Sequence, residues 1–500
     1  MARPTREDIV NYADFVKETQ RPAGASARWP FRFNWRAPLV MSPHNPLTLY
    51  LGGNFLFRTV DGGQKWRIIS PDLSTNDPAK FLNEKPGGLT RDATGAEEHC
   101  SITAVSESPL VPGVIWVGTD DGNVQVTRDG GVNWTNVRGS IPSVPTGTWV
   151  SNVEAGHFAP GIAYVSFDGH RSSDFRSWLF KTTDYGATWT DLSAGFPKRT
   201  SPESPHGHSL YVVREDLKNP NLLFAGSEFA MFVSLDAGRT WKSFTNGLPT
   251  VAVHDIVIHP RDRDLVIGTH GRGIYVLDDV TPLEQLTDAV RNSPAHLFEQ
   301  RPATIWEDAS RGGTRGHFFW AAENPPYIPK RDDVVRAKMI SGALINYYLK
   351  ETTAGATLEI SDLAGAKKRT LLLGAEPGIG RVLWDLRWEP PAEQSQQFRQ
   401  RLERAIERLE RMTGLPADYK AIVAQARRDL TAAQLVDELS RVWNALNDLL
   451  DEAEISGVNL GPQVQGEPAA PGEYLLKLNA GGQSVTGKLI VRPDPLLSER

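Results

Sequence analysis

The sequence contains a single cysteine, Cys100, among its 500 residues. One thiol excludes an intramolecular disulfide and a cysteine-based zinc site, so we expect Cys100 to be a buried free thiol. No run of about 18 apolar residues occurs, so no segment is predicted to span a membrane. The first residues, MARPTREDIVNYADF, have no apolar stretch of the kind that a signal peptide carries, and none is expected in this chain.

Positive charge is not in excess, because 54 Lys and Arg against 60 Asp and Glu give a formal net charge of −6. A nucleic-acid binder needs a basic surface to neutralise phosphates, so nucleic acid is not an expected partner. Glycine, proline and tryptophan are plentiful, with 44, 35 and 14 residues. That composition is typical of many short strands joined by tight turns.

One motif occurs four times in the first half of the sequence. The segments TVDGGQKW, TRDGGVNW, TTDYGATW and SLDAGRTW share the pattern Ser/Thr-x-Asp-x-Gly-x-x-Trp, here called the Asp box. Their spacing is that of one four-stranded blade each, and such repeats are typical of β-propellers. The repeated residues are Asp61, Asp129, Asp184, Asp236, Trp66, Trp134, Trp189 and Trp241.

The residue types of the Asp box indicate a structural role. A carboxylate can accept backbone N–H bonds across a strand-to-strand turn, where glycine adopts a positive φ. The tryptophan can bury its ring between neighbouring sheets. Catalysis rarely needs four equivalent copies, so we interpret Asp184 and its equivalents as residues that fasten turns.

A second repeated element is an alternating strand, a proline turn and another strand that ends in glycine, as in residues 39–53 and 102–119. Residues 255–279 repeat this element without an Asp box. Four units with a box and one without predict five propeller blades within residues 30–282. An N-terminal extension, residues 1–29, precedes them.

The pattern changes after the last blade. Residues 283–390 and 461–500 contain irregular strands and a final hairpin, which predict an Ig-like β-sandwich. Residues 391–460 carry helical apolar stripes, with Thr431 as an expected N-cap, and predict a packed helical hairpin or, alternatively, a partner-binding one. The predicted fold class is therefore mainly β, a β-propeller of about five Asp-box blades followed by an Ig-like β-sandwich that carries a helical insertion.

Propeller geometry separates two faces. The loops that lead into the innermost strands, and those between the second and third strands, share one face, here called the channel face; the Asp boxes lie on the other. Acids and bases there can bind a peptide, protein or glycan, or can hydrolyse glycosides if two carboxylates are paired. The candidate catalytic residues are Asp120, Asp121, Asp168 and Glu228. The candidate ligand-binding residues are His99, His170, Arg171, Asp174, His254, Asp255, His270 and Arg272.

A metal site is a further alternative on this face. His206 and His208 stand two residues apart and could bind a metal together with His99 and His254. Hydrogen-bonded loop histidines are more common, so neither a metal nor another cofactor is expected.

The Asp boxes resemble those of bacterial neuraminidase repeat proteins. Together with YVSFDGHRSSDF and VHDIVIHPRDRDLVIGTHGRGIYVLDD, they resemble more closely the sortilin-like, WD40/YVTN/BNR-like repeat family that is often labelled glycosyl hydrolase. The resemblance covers residues 30–390 and 465–495. It implies a propeller followed by an Ig-like sandwich, and a secreted or periplasmic location.

Members of this family are longer, and the chain resembles the C-terminal half of one. The resemblance therefore implies a partner chain, or self-association, that completes the propeller, since an open propeller leaves unpaired edges. It also implies a peptide, protein or carbohydrate ligand, because sortilin binds peptides in its propeller tunnel.

Two groups of enzymes share the boxes. Sialidases use three arginines, for which Arg32, Arg171 and Arg272 are the nearest match, together with a Tyr–Glu pair that is not evident here. Xyloglucanase-type propellers use two aspartates that face a cleft. Binding is therefore the expected function and glycoside hydrolysis the alternative. The nearest match to the two aspartates is Asp168 with Asp120 or Asp121.

Overall fold

The chain divides into two compact units, Met1–Glu284 and Gln285–Arg500. Among the described helices, none is long and apolar enough to cross a lipid bilayer. The predicted N-terminal extension, residues 1–29, lies outside the described part of the chain. The structure, a computed structural model, describes residues 31–81, 98–197, 208–244, 247–305 and 342–494.

The first unit is a β-propeller arc of five antiparallel sheets, numbered here as blades 1 to 5 in chain order. Blades 1 to 4 have four strands each and blade 5 has three, and within each blade the strands follow chain order. The strands are β1 Leu39–Met41, β2 Leu49–Gly52, β3 Leu56–Thr59 and β4 Arg67–Ile68 in blade 1; β5 Ile102–Glu107, β6 Ile115–Thr119, β7 Val124–Thr127 and β8 Thr135–Asn136 in blade 2; β9 Trp149–Ala155, β10 Ala163–Gly169, β11 Asp174–Thr182 and β12 Thr190–Asp191 in blade 3; β13 Leu210–Glu215, β14 Leu223–Ser227, β15 Met231–Ser234 and β16 Lys242–Ser243 in blade 4; and β17 Val253–Ile258, β18 Leu265–Thr269 and β19 Ile274–Leu277 in blade 5.

Neighbouring blades pack face to face through alternating side chains. In β13, Val213 packs with residues of blade 3 and the adjacent Val212 packs with residues of blade 5. Close approach explains the glycine near the end of the second strand in blades 1, 2 and 4. A Cβ added at Gly118 would stand 2.3 Å from Cγ1 of Val150 in the next blade. Alternation and glycine together bury both faces of an internal blade.

The Ser/Thr hydroxyl is the centre of each Asp box. Thr182 Oγ1 donates to Asp184 Oδ1 at 2.8 Å and accepts the N–H groups of Gly186 and Asp184 at 2.9 and 3.3 Å. The same carboxylate oxygen accepts the N–H of Thr188 at 2.9 Å. The other three boxes repeat these bonds. Each box carboxylate is therefore used inside its own turn.

The second unit contains a β-sandwich of a three-stranded and a five-stranded sheet. The two sheets share one hydrophobic core, to which Ile345 of one sheet and Ile360 and Leu476 of the other contribute. Its Ig-like character stays a prediction. The strands are β20 Ala295–Leu297, β22 Ala343–Leu349 and β25 Gly378–Trp384 in the first sheet, and β21 Ala303–Thr304, β27 Gln483–Arg492, β26 Gly472–Ala480, β23 Thr357–Asp362 and β24 Lys368–Leu372 in the second.

Three long helices lie between β25 and β26 and share their own apolar core. The expected N-cap at Thr431 is wrong, because this residue lies inside the second of these helices and donates to the carbonyl of Arg427 at 2.8 Å. The third helix is capped instead by Glu438, whose carboxylate accepts the N–H of Leu435 at 2.7 Å. The helices of the chain are α1 Pro78–Phe81, α2 Thr281–Gln285, α3 Asp288–Asn292, α4 Ala392–Glu410, α5 Ala417–Ala432 and α6 Val436–Glu452, with 3-10 turns at Arg138–Ser140, His170–Ser172 and Ser193–Gly195.

The Asp-box geometry predicts that Thr182→Val destabilises the fold more than Thr183→Val does. Thr182 is 1% exposed, and valine would leave the N–H of Gly186 without its acceptor. We expect the free energy of unfolding to fall by about 1–3 kcal/mol. Thr183→Val, at an exposed position one residue on, is the matched control and should have almost no effect. Chemical denaturation that shows equal losses for the two variants would contradict this account of the box.

Candidate functional site

One position recurs at the channel end of every blade, two residues after the strand-ending glycine or its equivalent. In blades 2, 4 and 5 the backbone N–H of this position is bonded to the residue that precedes the first strand. The N–H of Asp120 donates to Ser101 O at 3.0 Å, and that of Glu228 donates to Ser209 O at 3.1 Å. The backbone thus places the same position of each blade around the channel. From blade 1 to blade 5 the occupants are Asn54, Asp120, Asp168, Glu228 and His270.

Two of these side chains accept hydrogen bonds from the backbone of the segment that leads into their own blade. Asn54 Oδ1 accepts the N–H of Arg32 at 3.0 Å, and Asp120 Oδ1 accepts the N–H of Ser101 at 2.9 Å. The second Asp120 oxygen accepts the Ser101 hydroxyl at 2.9 Å and the amide of Asn34 at 3.3 Å. Burial raises the pKa of Asp120 to about 7. Asp120 therefore holds blade 2 in the way that Asn54 holds blade 1.

Asp121 is likewise engaged by its own surroundings. It is 2% exposed and accepts the N–H and hydroxyl of Thr75 at 2.8 and 2.7 Å, and the hydroxyl of Thr119 at 2.5 Å. These bonds tie the loop after blade 1 to blade 2. His99 lies beside this group, with Nδ1 3.5 Å from Asp120 Oδ2, and burial lowers its pKa.

Asp168 departs from this pattern because its carboxylate binds side chains of the channel face. Both oxygens lie within 2.7 Å of His170 Nδ1, and one accepts from Arg171 Nη1 at 3.3 Å. The Arg171 guanidinium also covers the ring of Trp149 at 4.2 Å. Asp168 is 2% exposed, so it fixes the orientation of His170 and Arg171 from beneath.

A row of rings continues from His170 across blades 4 and 5. Tyr211 lies 6.2 Å from His170 and 4.4 Å from His254, which stacks on His270 at 5.1 Å. Burial, with the nearby carboxylates, raises the pKa of Tyr211 to about 12. Burial, with the charge of Arg36, lowers the pKa of His254 to about 4. These rings give the channel face a continuous aromatic floor.

Arg36, in the loop before β1, is the member of this cluster that the sequence did not single out. Burial lowers its pKa, and so does the charge of Arg171, while Asp168, Tyr211 and Asp255 act in the opposite direction. Within the described part of the chain, no hydrogen bond or ion pair holds its guanidinium. The signal that could have found it was its place in the loop that leads into the innermost strand of blade 1, on the channel face.

The remaining candidates divide between this cluster and other places. Asp255 accepts from Arg214 Nη2 at 2.8 Å at the edge of the cluster, and Arg272 is exposed beside His270. Asp174 is held apart, in a two-bond pair with Arg176 at 2.8 and 2.7 Å. The structure thus brings together six of the predicted residues and leaves a second group around His99. The six are Asp168, His170, Arg171, His254, Asp255 and His270.

The structure also bears on two alternatives from the sequence, the sialidase-like arginines and the histidine metal site. Arg32, one of the three arginines of the sialidase comparison, is bonded to Asp72 at 2.6 Å and to the carbonyl of Cys100 at 3.1 Å, so it braces blade 1. His206 of the metal alternative lies outside the described residues. Among those that are described, no His, Cys, Asp and Glu group is arranged to hold a metal. Cys100 is fully buried and free.

A cavity of about 660 Å³ lies on the other face, between blades 2 and 3. The box carboxylates of Asp129 and Asp184 line it, and Arg128 covers the ring of Tyr185 there at 4.0 Å. Its carboxylates are already bonded in their turns, so the cavity carries no group arranged for chemistry.

No family model and no curated protein matches the chain. Among solved structures it is similar to the GH74 xyloglucanase from Xanthomonas campestris (21% identity, 48% of this chain and 36% of that one, TM-score 0.36). It is also similar to the GH74 enzyme of Niastella koreensis (17%, 48% and 36%, TM-score 0.33) and to YCF48 bound to D1 peptide (16%, 50% and 97%, TM-score 0.21). These neighbours are all β-propellers. The chain spans about a third of the two enzymes, and the sortilin-like resemblance stays a prediction.

The position of Asp120 predicts a pH-dependent contribution to stability. Because its pKa is about 7 in the folded chain and 3.8 when it is free in water, the folded state holds an extra proton between these pH values, and stability falls as pH rises. Asp120→Asn keeps the acceptor that Asn54 uses in blade 1 and removes the titration. Relative to the variant, the parent should lose about 2–4 kcal/mol from pH 4 to pH 7. Denaturation curves that stay parallel across this range would contradict the assignment.

Proposed function

We propose that the protein is a binding propeller whose channel face takes a ligand with a carboxylate group. The single observation that carries this proposal is Arg36, a half-buried side chain whose guanidinium has no hydrogen-bond or ion-pair partner among the described residues. A guanidinium that is partly shielded from water and has no described protein partner is suited to an anionic partner from outside. A planar guanidinium pairs with a carboxylate through two parallel hydrogen bonds.

The surrounding charges support an anionic ligand. Asp168 is engaged by His170 and Arg171, and Asp255 is engaged by Arg214. The nearby carboxylates are thus satisfied while Arg36 is not. The rings of Tyr211, His254 and His270 provide the aromatic floor near Arg36. The exposed side chain of Trp35 is next to Arg36 in the sequence.

The same contacts favour binding over hydrolysis. Glycoside hydrolysis needs two carboxyl groups that reach the scissile bond from opposite sides. Asp120, Asp121 and Asp168 are each 2% exposed or less, and their oxygens are bonded to the protein itself. Glycoside hydrolysis remains the second candidate on one observation, the pKa of Asp120 near 7, which suits a general acid.

Titration with paired probes tests the binding proposal. One pair is a pool of short peptides with free or amidated C-termini; the other is an acidic oligogalacturonide and its neutral counterpart. The members that carry a carboxylate should bind, and calorimetry should show binding weakened about 10- to 100-fold by Arg36→Gln. The two pairs distinguish a peptide carboxylate from a sugar carboxylate.

Arg176→Gln is the matched control, since Arg176 is exposed and already paired with Asp174. Its affinity should equal that of the parent. Equal binding of free and amidated peptides and of acidic and neutral sugars, or an Arg36→Gln variant that binds like the parent, would refute the proposal. Turnover of aryl glycosides or xyloglucan that is lost in Asp120→Asn would favour the hydrolytic candidate instead.

A further inference from the structure

Blade 5 is buried on one face only, and blade 1 is buried on one face and partly covered on the other. In blade 4, Met231 and Val233 of β15 are 0% and 7% exposed. The equivalent residues of β19 in blade 5, Ile274 and Val276, are 73% and 56% exposed. We call the side of a blade that covers the following blade its trailing face. Among the described residues, none covers the row of Ile274 and Val276 on the trailing face of blade 5.

The uncovered trailing face is an apolar surface of the kind that is buried elsewhere in the arc. Register places Val257, Val266 and Val276 in one row across its three strands. Val257 is 51% exposed. Ile256 and Ile258, on the opposite side of β17, are buried against blade 4. Contiguous exposed aliphatic side chains of this kind mark an interaction surface.

Blade 1 is partly open on its leading face, the side that would meet a preceding blade: Phe57 is buried there beneath Phe31 and Phe33, but the residues of β1 are exposed. Leu39 and Met41 of β1 are 43% and 59% exposed, whereas the equivalent Val105 and Glu107 of β5 are 8% and 7% exposed. Blades 1 and 5 do not pack on each other within the described residues. The chain thus presents both halves of one blade-to-blade interface, unjoined.

One pair of positions at each internal junction shows how leading and trailing faces match. Where the trailing face has tyrosine, the leading face has a glutamate that accepts its hydroxyl: Tyr50 donates to Glu107 at 3.0 Å, and Tyr164 donates to Glu215 at 2.7 Å. Where the trailing residue has no hydroxyl, the leading residue is apolar. Those pairs are Trp116 with Ala155 and Phe224 with Ile258.

The two free faces obey the same rule. By strand register, Val266 is the trailing residue of blade 5 and Met41 the leading residue of blade 1. Both are apolar, so Met41 suits Val266 as Ile258 suits Phe224. Met41 stands where blades 2 and 4 have glutamate, which is consistent with a partner that offers no hydroxyl.

We propose that a second copy of this chain covers both faces, with blade 1 of each copy packed on blade 5 of the other. The contact repeats the four junctions already present within one chain. A two-fold axis makes the two new junctions identical and leaves no free blade face. The paired arcs then enclose a single channel.

Analytical ultracentrifugation of the full chain tests the pairing, with Met41→Glu as the disrupting variant. The parent should sediment at twice the 55.2 kDa chain mass. Met41→Glu should weaken the dimer at least about 100-fold, because it buries an unpaired carboxylate at both junctions. Met41 is largely exposed in the single chain, so the variant should fold as the parent does.

A second substitution that restores dimerisation distinguishes the proposed junction from other causes of dissociation. Adding Val266→Tyr to Met41→Glu recreates the tyrosine–glutamate pair of Tyr50 and Glu107, so the double variant should dimerise again. Val132→Glu, at an 80% exposed residue of the blade 2 box, is the control and should dimerise like the parent. A monomeric parent, a mass that keeps growing with concentration, a dimer that ignores Met41→Glu, or a double variant that stays monomeric would each overturn the proposal.

Discussion

Every blade of the arc is apolar on both faces, so each face must be packed against another surface. The rest of the structure follows from this constraint. A sheet with two apolar faces is stable only between neighbours, so repeated sheets stack around an axis. Close stacking requires glycine at positions such as Gly118, where a side chain would collide with Val150 of the next blade. The Asp boxes complete blades 1 to 4 by closing the turn into the short outer strand.

The channel face is free for binding because the packing does not use it. In blades 2 to 5 the loop at this end is joined through its backbone to the start of the blade's own first strand, so side chains on these loops have fixed positions. Fixed positions allow Asp168 to orient His170 and Arg171 from below. They also keep Arg36 near Tyr211 and His254 without an ion-pair partner among the described residues.

The sequence was sufficient to predict the blades, because four Asp boxes recur at blade spacing and their chemistry is local. It was less informative about the site. Asp120 and Asp168 occupy equivalent positions, but only their partners distinguish a carboxylate that closes a strand from one that orients a histidine. Arg36 belongs to no repeat, so no pattern marked it. The exposure of Met41 and Ile274 depends on which blades are neighbours, and a strand pattern looks the same whether or not its face is covered.

The central claim is that the uncovered faces of blades 1 and 5 are two halves of one interface. Mixing a Met41→Cys chain with a Val266→Cys chain and adding a short thiol cross-linker tests it directly. Cys100 should not interfere, since it is buried and burial raises its pKa to about 12. We predict a linked product of two chains in the mixture and almost none from either variant alone. No linked product in the mixture, or as much from a single variant, would contradict the claim.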